Sequence, residues 1–479
     1  MSGLLELRLL SAVALSASLA ACTTVGPDYR PPAAEAPAAY AGASAAPSAE
    51  VGDFWAGWRD PELSALVRHA LDGSLDLQQA ASKVAQARDL MVAARGAALP
   101  SVGVEALGGV VQAESGSIDL PGAPPFIPGN FDASGVRLQG GELGLVASWE
   151  PDLFGRNRRQ GEAAAAAVEA AQWTLRDGQV LVSAAVADDY LRLRVLQRRM
   201  KILRAEEQAL TELADVERAR VQTGESQAPD LDRRLAARAA AAARLPEVEL
   251  EQAKLIHALG VLTGAAPDAL EPELGSTPAP VFDTPPSLAA GAPSDLLRRR
   301  PDIRVAERQL AAATAKVGVA TADLYPRITL TGGPDVASAA LKGLLSAGGA
   351  GWLAAGAVTW PVFAGGRIKA NIASAKETRA QALLQYRKAV LAGLQDVEDS
   401  LAARDAAEKA IAASDAAVAA ARDALEVARH SHAVGLASGA VEVQAEEAWL
   451  EAEDAAIQAR LARARAAIGL YKALGGGWS

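Results

Sequence analysis

Apolar side chains recur with heptad spacing in two long stretches of the chain. The first stretch runs without proline from Gly155 to Ala228, and the second runs from Val362 to the C-terminus. The recurring positions are Val182, Val186, Leu193, Leu196, Met200, Leu203 and Leu210 in the first stretch and Leu384, Leu391, Leu394 and Leu401 in the second. This spacing is typical of coiled-coil seams, so each stretch is predicted to form a very long helix. A continuous helix from Arg156 to Val221 would extend on the order of 100 Å at roughly 1.5 Å per residue.

Alternating residues predict a strand after each of two prolines. An alanine-rich helical pattern ends at Pro100 and at Pro326, where SVGVEA and RITLTG follow. In both segments the apolar side chains fall on one face and the polar ones on the other. Strands are therefore expected at about 101–112 and 326–334.

An uncharged run, GLLSAGGAGWLAAGAVTWPVFAGG at 343–366, is long enough for a transmembrane helix. Its glycines and Pro361 argue against a helix, and it aligns with the alternating LGLVASW at 143–149. We therefore expect membrane-barrel strands at about 137–150 and 350–363. Three tryptophans on these strands suit an interfacial aromatic girdle, although ordinary core positions are the alternative: Trp149, Trp352 and Trp360.

The order of these elements repeats, which indicates an internal duplication. Three pairs of landmarks align the two copies: Pro100 with Pro326, Trp149 with Trp360, and Gly224 with Gly435. The first copy is longer between its proline and its tryptophan, in the turn-rich SGSIDLPGAPPFIPGNFDASG, as expected of an insertion in a surface loop. The aligned glycines mark the turns at which each long helix reverses into a partner helix.

The predicted fold is mainly α with a small β part. Each chain supplies four strands, and four strands cannot close a barrel around a channel. Open sheet edges in lipid leave backbone groups unpaired, so several chains must share one transmembrane β-barrel.

Cys22 is the only cysteine, which excludes an internal disulfide. The run Leu9–Leu19 has the length and polarity of a signal-peptide core, and small residues follow it directly before the cysteine. LAAC resembles a bacterial lipobox, which predicts a signal peptide at 1–21 and a lipid on Cys22; an inert cysteine in an ordinary signal is the alternative. In such lipoproteins the neutral Thr23 and Thr24 imply the outer membrane.

Charge and composition exclude several other functions. The net charge is −10 and no basic cluster occurs, so nucleic-acid binding is not expected. His430 and His432 are two residues apart on a predicted helix, which is not a metal-ligand spacing, so no metal site is expected. The chain shows no phosphate loop and no nucleophile elbow, so neither a cofactor nor an enzymatic activity is predicted.

Several motifs together resemble those of the outer-membrane efflux factors of the TolC superfamily, in the lipoprotein branch that works with resistance-nodulation-division pumps. They are CTTVGPDYRPP, LLRRRPDIRVAERQLAAA, TWPVFAGGRIKA, LQDVEDSLAA and LYKALGGGW. The resemblance implies a homotrimer with a β-barrel in the outer membrane, an α-helical barrel across the periplasm and an equatorial domain. It also implies passive export of small molecules, with a periplasmic adaptor and an inner-membrane transporter as partners.

The resulting organisation has five parts. These are the signal peptide at 1–21, a lipid-anchored segment at 22–60, the first repeat at 61–270, an equatorial linker at 271–300 and the second repeat at 301–479. At the junction, RRRPDIR predicts the start of a helix with Pro301 in its first turn and Asp302 favourably placed against the helix dipole. A basic ligand patch is the alternative.

Four acidic residues match positions where the family carries a periplasmic gate. Asp423 and Glu426 lie one helical turn apart before Gly435, and Glu212 and Asp215 repeat the arrangement before Gly224. The family's constriction is lined mainly by one copy's helices, which favours Asp423 and Glu426. Exposed salt bridges along the helices are the alternative.

The two helical turns, 224–229 and 435–441, are predicted to dock the adaptor, with Ala437 and Ser438 within the second turn. A turn without a partner is the alternative, since turns use glycine regardless.

The leading hypothesis is an outer-membrane exit duct of a tripartite efflux system. A structural coiled-coil lipoprotein that spans the periplasm would leave the paired strands unexplained. An exporter of a type I-like secretion system also fits the resemblance. The sequence does not identify the cargo.

Overall fold

The computed structural model describes residues 24–33, 37, 39–41, 54–112, 117–119, 130–132, 137–275, 285–286, 288–338 and 350–477. The predicted signal peptide and Cys22 lie outside the described residues, and so does much of the predicted linker.

Nine α-helices and one short 3-10 helix, Ala56–Trp58, occur among the described residues. The α-helices are α1 (Pro61–Gly73), α2 (Leu75–Gly96), α3 (Arg156–Gln222), α4 (Ala228–Leu262), α5 (Glu271–Leu274), α6 (Pro293–Arg299), α7 (Pro301–Ala322), α8 (Arg367–Ala433) and α9 (Gly439–Ala473). None of these helices combines the length and the apolarity that a bilayer crossing requires.

Four long strands form one antiparallel sheet in the order β1-β4-β5-β6. The strands are β1 (Ser101–Gln112), β4 (Arg137–Trp149), β5 (Arg327–Ser338) and β6 (Ala350–Thr359). A separate short hairpin joins β2 (Ser117–Asp119) to β3 (Asn130–Asp132) inside the longer loop of the first copy. The alternation pattern does not predict this hairpin, because its strands are only 3 residues long.

The duplication is visible in the element lengths. α2 and α7 each have 22 residues, α3 and α8 each have 67, and α4 and α9 each have 35. β1 and β5 each have 12 residues. The two copies therefore fold into the same series of elements.

The chain divides into two compact units. The first contains the described residues up to Arg30 together with Ala87–Ala167 and Leu310–Gln381, and the second contains Pro31–Gln86, Val168–Gln309 and Ala382–Ser479 as far as they are described. Each unit takes residues from both sequence copies. The predicted repeats, 61–270 and 301–479, therefore describe the duplication in the sequence and do not coincide with the two compact units.

In the second unit, the heptad positions of α3 pack inside the chain, whereas two of the four heptad positions of α8 are exposed in it. Six of the seven α3 positions are buried and Leu196 is half-buried. On α8, Leu384 and Leu391 are 62% and 67% exposed, whereas Tyr386 and Val390 are buried. Leu384 stands two positions before Tyr386, which places it about 200° around the helix, on the opposite face.

In the first unit, two tryptophans join the sheet to the helices in the same way. The indole Nε1 of Trp149 donates to the carbonyl of Ala98, and that of Trp360 donates to the carbonyl of Leu324, both at 3.0 Å. These two tryptophans and Trp352 are all exposed in the chain, so the ordinary-core alternative is wrong.

The motif RRRPDIR begins a helix, as predicted. α7 starts at Pro301, and the buried Arg300 before it forms a bidentate pair with Asp302 at 3.0 and 2.7 Å. The same guanidinium donates to Asp396 at 2.8 Å and to the carbonyl of Ala473 at 3.0 Å. These bonds make Arg300 a structural tie between α7, α8 and α9.

Candidate functional site

The two turns that reverse the long helices have the same backbone geometry. α3 ends before Gly224 and α8 before Gly435, and both glycines have φ of 77°. That left-handed conformation is open to glycine and strained for residues with a Cβ. In each turn the next amide, that of Glu225 or Leu436, donates at 2.8 Å to a carbonyl in the last turn of the helix. The duplication therefore preserves the backbone of the turn.

The side chains that close the first turn gather around one buried carboxylate. The carboxylate of Glu217 is buried, accepts a hydrogen bond from Ser226, and lies 3.7 Å from Arg220. A buried carboxylate requires such partners, because an unpaired one would carry a large desolvation cost.

The second turn is closed by more exposed charges. His432 Nδ1 lies 2.6 Å from Glu442 Oε2, while Arg429 lies 3.5 Å from Glu442 and 3.2 Å from Glu446. These contacts join the end of α8 to the beginning of α9. They also pair Arg429, which lies three residues after Glu426, with two carboxylates of α9.

The surface of the second turn is apolar. Leu436 is 84% exposed, and Val434 and Val441 beside it are also exposed. Of the two turn positions singled out in the sequence, Ser438 is exposed and Ala437 is half-buried. An exposed apolar cluster at a turn suits contact with another protein surface.

The predicted gate residues of the second copy lie on the exposed side of α8. Glu426 forms a salt bridge of 3.6 Å with Arg422, and both side chains are largely exposed. Asp423 is exposed as well. An exposed pair of this kind contributes little to stability, so Glu426 is held only loosely.

The equivalent residues of the first copy are also exposed and locally paired. Glu212 accepts a hydrogen bond of 3.2 Å from Gln208, and Asp215 pairs with Arg218. Two of the four acidic residues, Glu426 and Asp215, therefore form a salt bridge on their own helix, as the salt-bridge alternative predicts, while Glu212 has a neutral partner.

A cleft of about 880 Å³ in the second unit is lined by several carboxylates that the sequence did not single out. Burial raises the pKa of the Asp177 carboxyl, and the nearby Asp302 adds to this shift. Arg300 and Lys472 act in the opposite direction. The net effect is that the fold disfavours the charged form of Asp177.

The model of one protein family matches most of the chain. That family is described as outer membrane efflux protein, and the match covers residues 66–265 and 292–476. The chain belongs to the outer membrane efflux protein family. The efflux protein is therefore assigned to the outer membrane and to a family of transport channels.

Curated relatives agree with this assignment. The efflux protein is 30% identical over 398 residues to nodulation protein T of Rhizobium leguminosarum bv. viciae, covering 82% of this chain and 78% of the relative. It is also 30% identical over 483 residues to the probable efflux pump outer membrane protein TtgC of Pseudomonas putida, covering 98% of this chain and 96% of the relative.

Solved structures share the fold. The outer-membrane channel OprN matches the efflux protein with a TM-score of 0.83 at 32% identity, over 95% of this chain and 99% of that chain. The open state of the Neisseria gonorrhoeae MtrE outer membrane channel matches with a TM-score of 0.79 at 29% identity, over 95% and 98%. The predicted family and fold class are thereby confirmed.

Sequence reasoning missed the clusters that close the two turns of the efflux protein. Glu217 aligns with Ala428 of the second copy, which is buried. The only signal in the sequence was therefore a carboxylate at a position where the other copy has a small apolar residue. The pairing of His432 with Glu442 has no local signal in the sequence, because Glu442 lies on the next helix.

Proposed function

We propose that the chain is the outer-membrane exit duct of a tripartite efflux system, through which small molecules leave passively and without a catalytic step. The observation that carries the proposal is the doubled arrangement of two paired strands, one 67-residue helix and one reversing turn. An enzyme or a purely structural coiled coil does not require this repeated set of strands, helix and turn.

The duct closes by association of chains, as a homotrimer. β1 and β6 are the edges of the sheet and leave backbone groups unpaired within one chain. In lipid such edges require partners, so β6 of one chain pairs with β1 of the neighbouring chain to complete a shared β-barrel. The exposed Leu384 and Leu391 of α8 supply apolar area for helix contacts between neighbouring chains.

The periplasmic adaptor docks on the two turns, and an inner-membrane resistance-nodulation-division transporter supplies the energy. The exposed Leu436 and the adjacent valines support this role for the second turn. Glycine at positions 224 and 435 allows the reversal that presents these side chains.

Asp423 and Glu426 form the gate, with Glu212 and Asp215 as the weaker candidates. In a closed trimer, symmetry brings three copies of each carboxylate together, and like charges at close range repel. A ring of this kind favours cations and resists anions. The exposed positions of all four residues are compatible with the ring.

A lipid on Cys22 adds a second anchor to the strands. Each buried methylene contributes about 0.8 kcal/mol, so acyl chains hold the N-terminus at the membrane without a spanning helix.

The cargo follows from relatives at 28–30% identity. Three of them are named for the efflux of solvents, toluene and antibiotics. We therefore infer apolar small molecules as substrates. A deletion strain should become sensitive to such compounds and regain tolerance with the wild-type gene. If sensitivity stays unchanged while secretion of a protein stops, the type I-like alternative replaces the efflux role.

A further inference from the structure

The segment Thr24–Asp28, which we call the strap, is bonded to the beginning of α3 within the first unit. The amide of Val25 donates to the carbonyl of Phe154 at 3.1 Å, and Arg159 Nε donates to the carbonyl of Val25 at 3.1 Å. The strap is the TVGPD part of the motif CTTVGPDYRPP, whose role the duct does not explain.

Glycines on both sides make the slot in which the strap lies. A Cβ on Gly26 would stand 2.4 Å from the Cα of Gly318 on α7, and a Cβ on Gly155 would stand 2.5 Å from Thr24. Gly26 also has φ of 87°, which disfavours other residues. The strap therefore fits into the slot because glycine stands at each of these close approaches.

Arg159 fixes the strap through its charge. The residue is 3% exposed in total, and its Nη2 donates to Asp28 at 2.6 Å while its Nη1 donates to Glu162 at 2.8 Å. Burial lowers the pKa of the guanidinium, but the hydrogen bonds to Glu162 and Asp28 more than offset this effect. The strap supplies three acceptors of this guanidinium, namely the carbonyls of Val25 and Gly26 and the carboxylate of Asp28.

Within the part of the chain that the structure describes, the second copy does not repeat the slot. In the alignment of the two copies, Arg159 falls opposite Ala370, which cannot supply the charge. Duplication of the long helix therefore did not duplicate the slot. A feature confined to the first copy fits a partner that each chain has only once, which is its own N-terminus.

We propose that the slot is a docking site for the acylated N-terminus, which fixes where the lipid meets the membrane, with Arg159 as its positioning residue. The proposal rests on the proposed acylation of Cys22. Cys22 precedes Thr24 by two residues, and each residue reaches at most about 3.6 Å, so the lipid stays close to the slot.

The position of the slot suits this role. Phe154, which accepts the bond from Val25, follows the end of β4 at Trp149 by five residues. Docking therefore delivers the lipid beside the sheet that the proposed function places in the membrane. A tethered lipid at a fixed point raises the effective concentration of acyl chains where the strands insert.

The first test measures docking directly. Gly26→Val fills the slot from the strap and leaves the helices intact, while Gly318→Leu fills it from α7. Hydrogen exchange at the Val25 amide should accelerate roughly tenfold or more in both variants, because the amide loses its hydrogen bond to the carbonyl of Phe154. Arg158→Gln is a control on the neighbouring turn of α3, since the Arg158 guanidinium bonds the carbonyl of Asp152 instead of the strap. Exchange in both slot variants at the wild-type rate would overturn the docking.

The second test asks whether docking acts through the lipid. The rate of trimer assembly in membranes is measured for Gly26→Val with Cys22 present and in the Cys22→Ala background. We expect slower assembly only when Cys22 is present, which is a coupling between the two sites. Equal slowing in both backgrounds would show a merely structural strap and would overturn the proposal. Palmitate labelling separates the failures: without label on the wild type, the anchor itself is wrong, and the docking of a lipid is overturned with it.

Discussion

Arg300 joins three helices of the second unit through one guanidinium. Its partners are Asp302 on α7, Asp396 on α8 and the carbonyl of Ala473 on α9. Burial lowers the pKa of this group, but the hydrogen bonds to the two carboxylates raise it above its ordinary value. A lysine keeps the charge and loses the planar fork that reaches several acceptors at once.

We therefore expect Arg300→Lys to destabilise the protein by roughly 1.5–3 kcal/mol, the typical contribution of a hydrogen bond to a charged group. Thermal unfolding of the purified protein measures this change. Arg298→Lys is the matched control, because Arg298 is exposed and pairs only with Asp295 among the ion pairs of the described residues. Equal loss in the two variants would contradict the role of Arg300.

Asp177 gives a prediction with a defined pH dependence. Because burial raises the pKa of its carboxyl above the unfolded value, the charged form costs stability in the fold. The cost is fully present above the folded pKa and disappears below the unfolded pKa. Asp177→Asn should thus raise the melting temperature at neutral pH, and the gain should fade as the pH decreases through the acid range. A gain that stays constant with pH would exclude this cause.

At the residue scale, the sequence revealed what depends on neighbours along the chain. Pro301 and Asp302 predicted the start of α7, because their effect on a helix is local. The environments of Asp177 and Glu217 depend on burial by other helices, and periodicity alone does not report which carboxylates become buried.

At the scale of single elements, the proposed docking of the adaptor on the second turn can be tested by adding a charge there. Ser438→Glu places a charge beside the apolar cluster of Val434, Leu436 and Val441. Efflux should fall while the amount of trimer stays the same, because the charge must be desolvated when the adaptor docks. Ser438→Thr is the matched control, since it keeps the hydroxyl and adds no charge. If efflux is intact and the adaptor still cross-links at this turn, the docking assignment fails.

Most of the elements could be predicted because the two copies constrain one another. Aligning Gly224 with Gly435 located two turns whose backbones are the same. The seam on α8 was predicted less well, since Leu384 and Leu391 follow heptad spacing but face away from the core of the chain. Heptad spacing identifies apolar positions on a helix. It does not indicate whether each of them packs inside the chain or stays exposed on its surface.

On the scale of the whole molecule, acylation can be tested independently of the channel. Cys22→Ala should abolish incorporation of labelled palmitate, because the chain has no other thiol. The protein should still reach the membrane, since the strands provide a separate anchor. Persistent label in the variant would show that the lipobox interpretation is wrong.

The gate is also a property of the assembled molecule, because its charges meet only across symmetry. In the double variant Asp423→Asn with Glu426→Gln, the ring loses its negative charge, so cation selectivity should fall or the resting conductance should change. Glu212→Gln with Asp215→Asn is the matched control in the first copy, and a smaller effect is expected there. Unchanged conductance and selectivity in assembled trimers of Asp423→Asn with Glu426→Gln would contradict the gate.

Single-channel recording in a planar bilayer shows whether this chain forms a channel. Purified trimer of the wild type and of the double gate variant is added to the bilayer under the same conditions. We predict discrete conductance steps of uniform size, with the gate variant open more often or less selective for cations. If correctly assembled trimers of both proteins insert into the bilayer and carry no current, the chain does not form a channel.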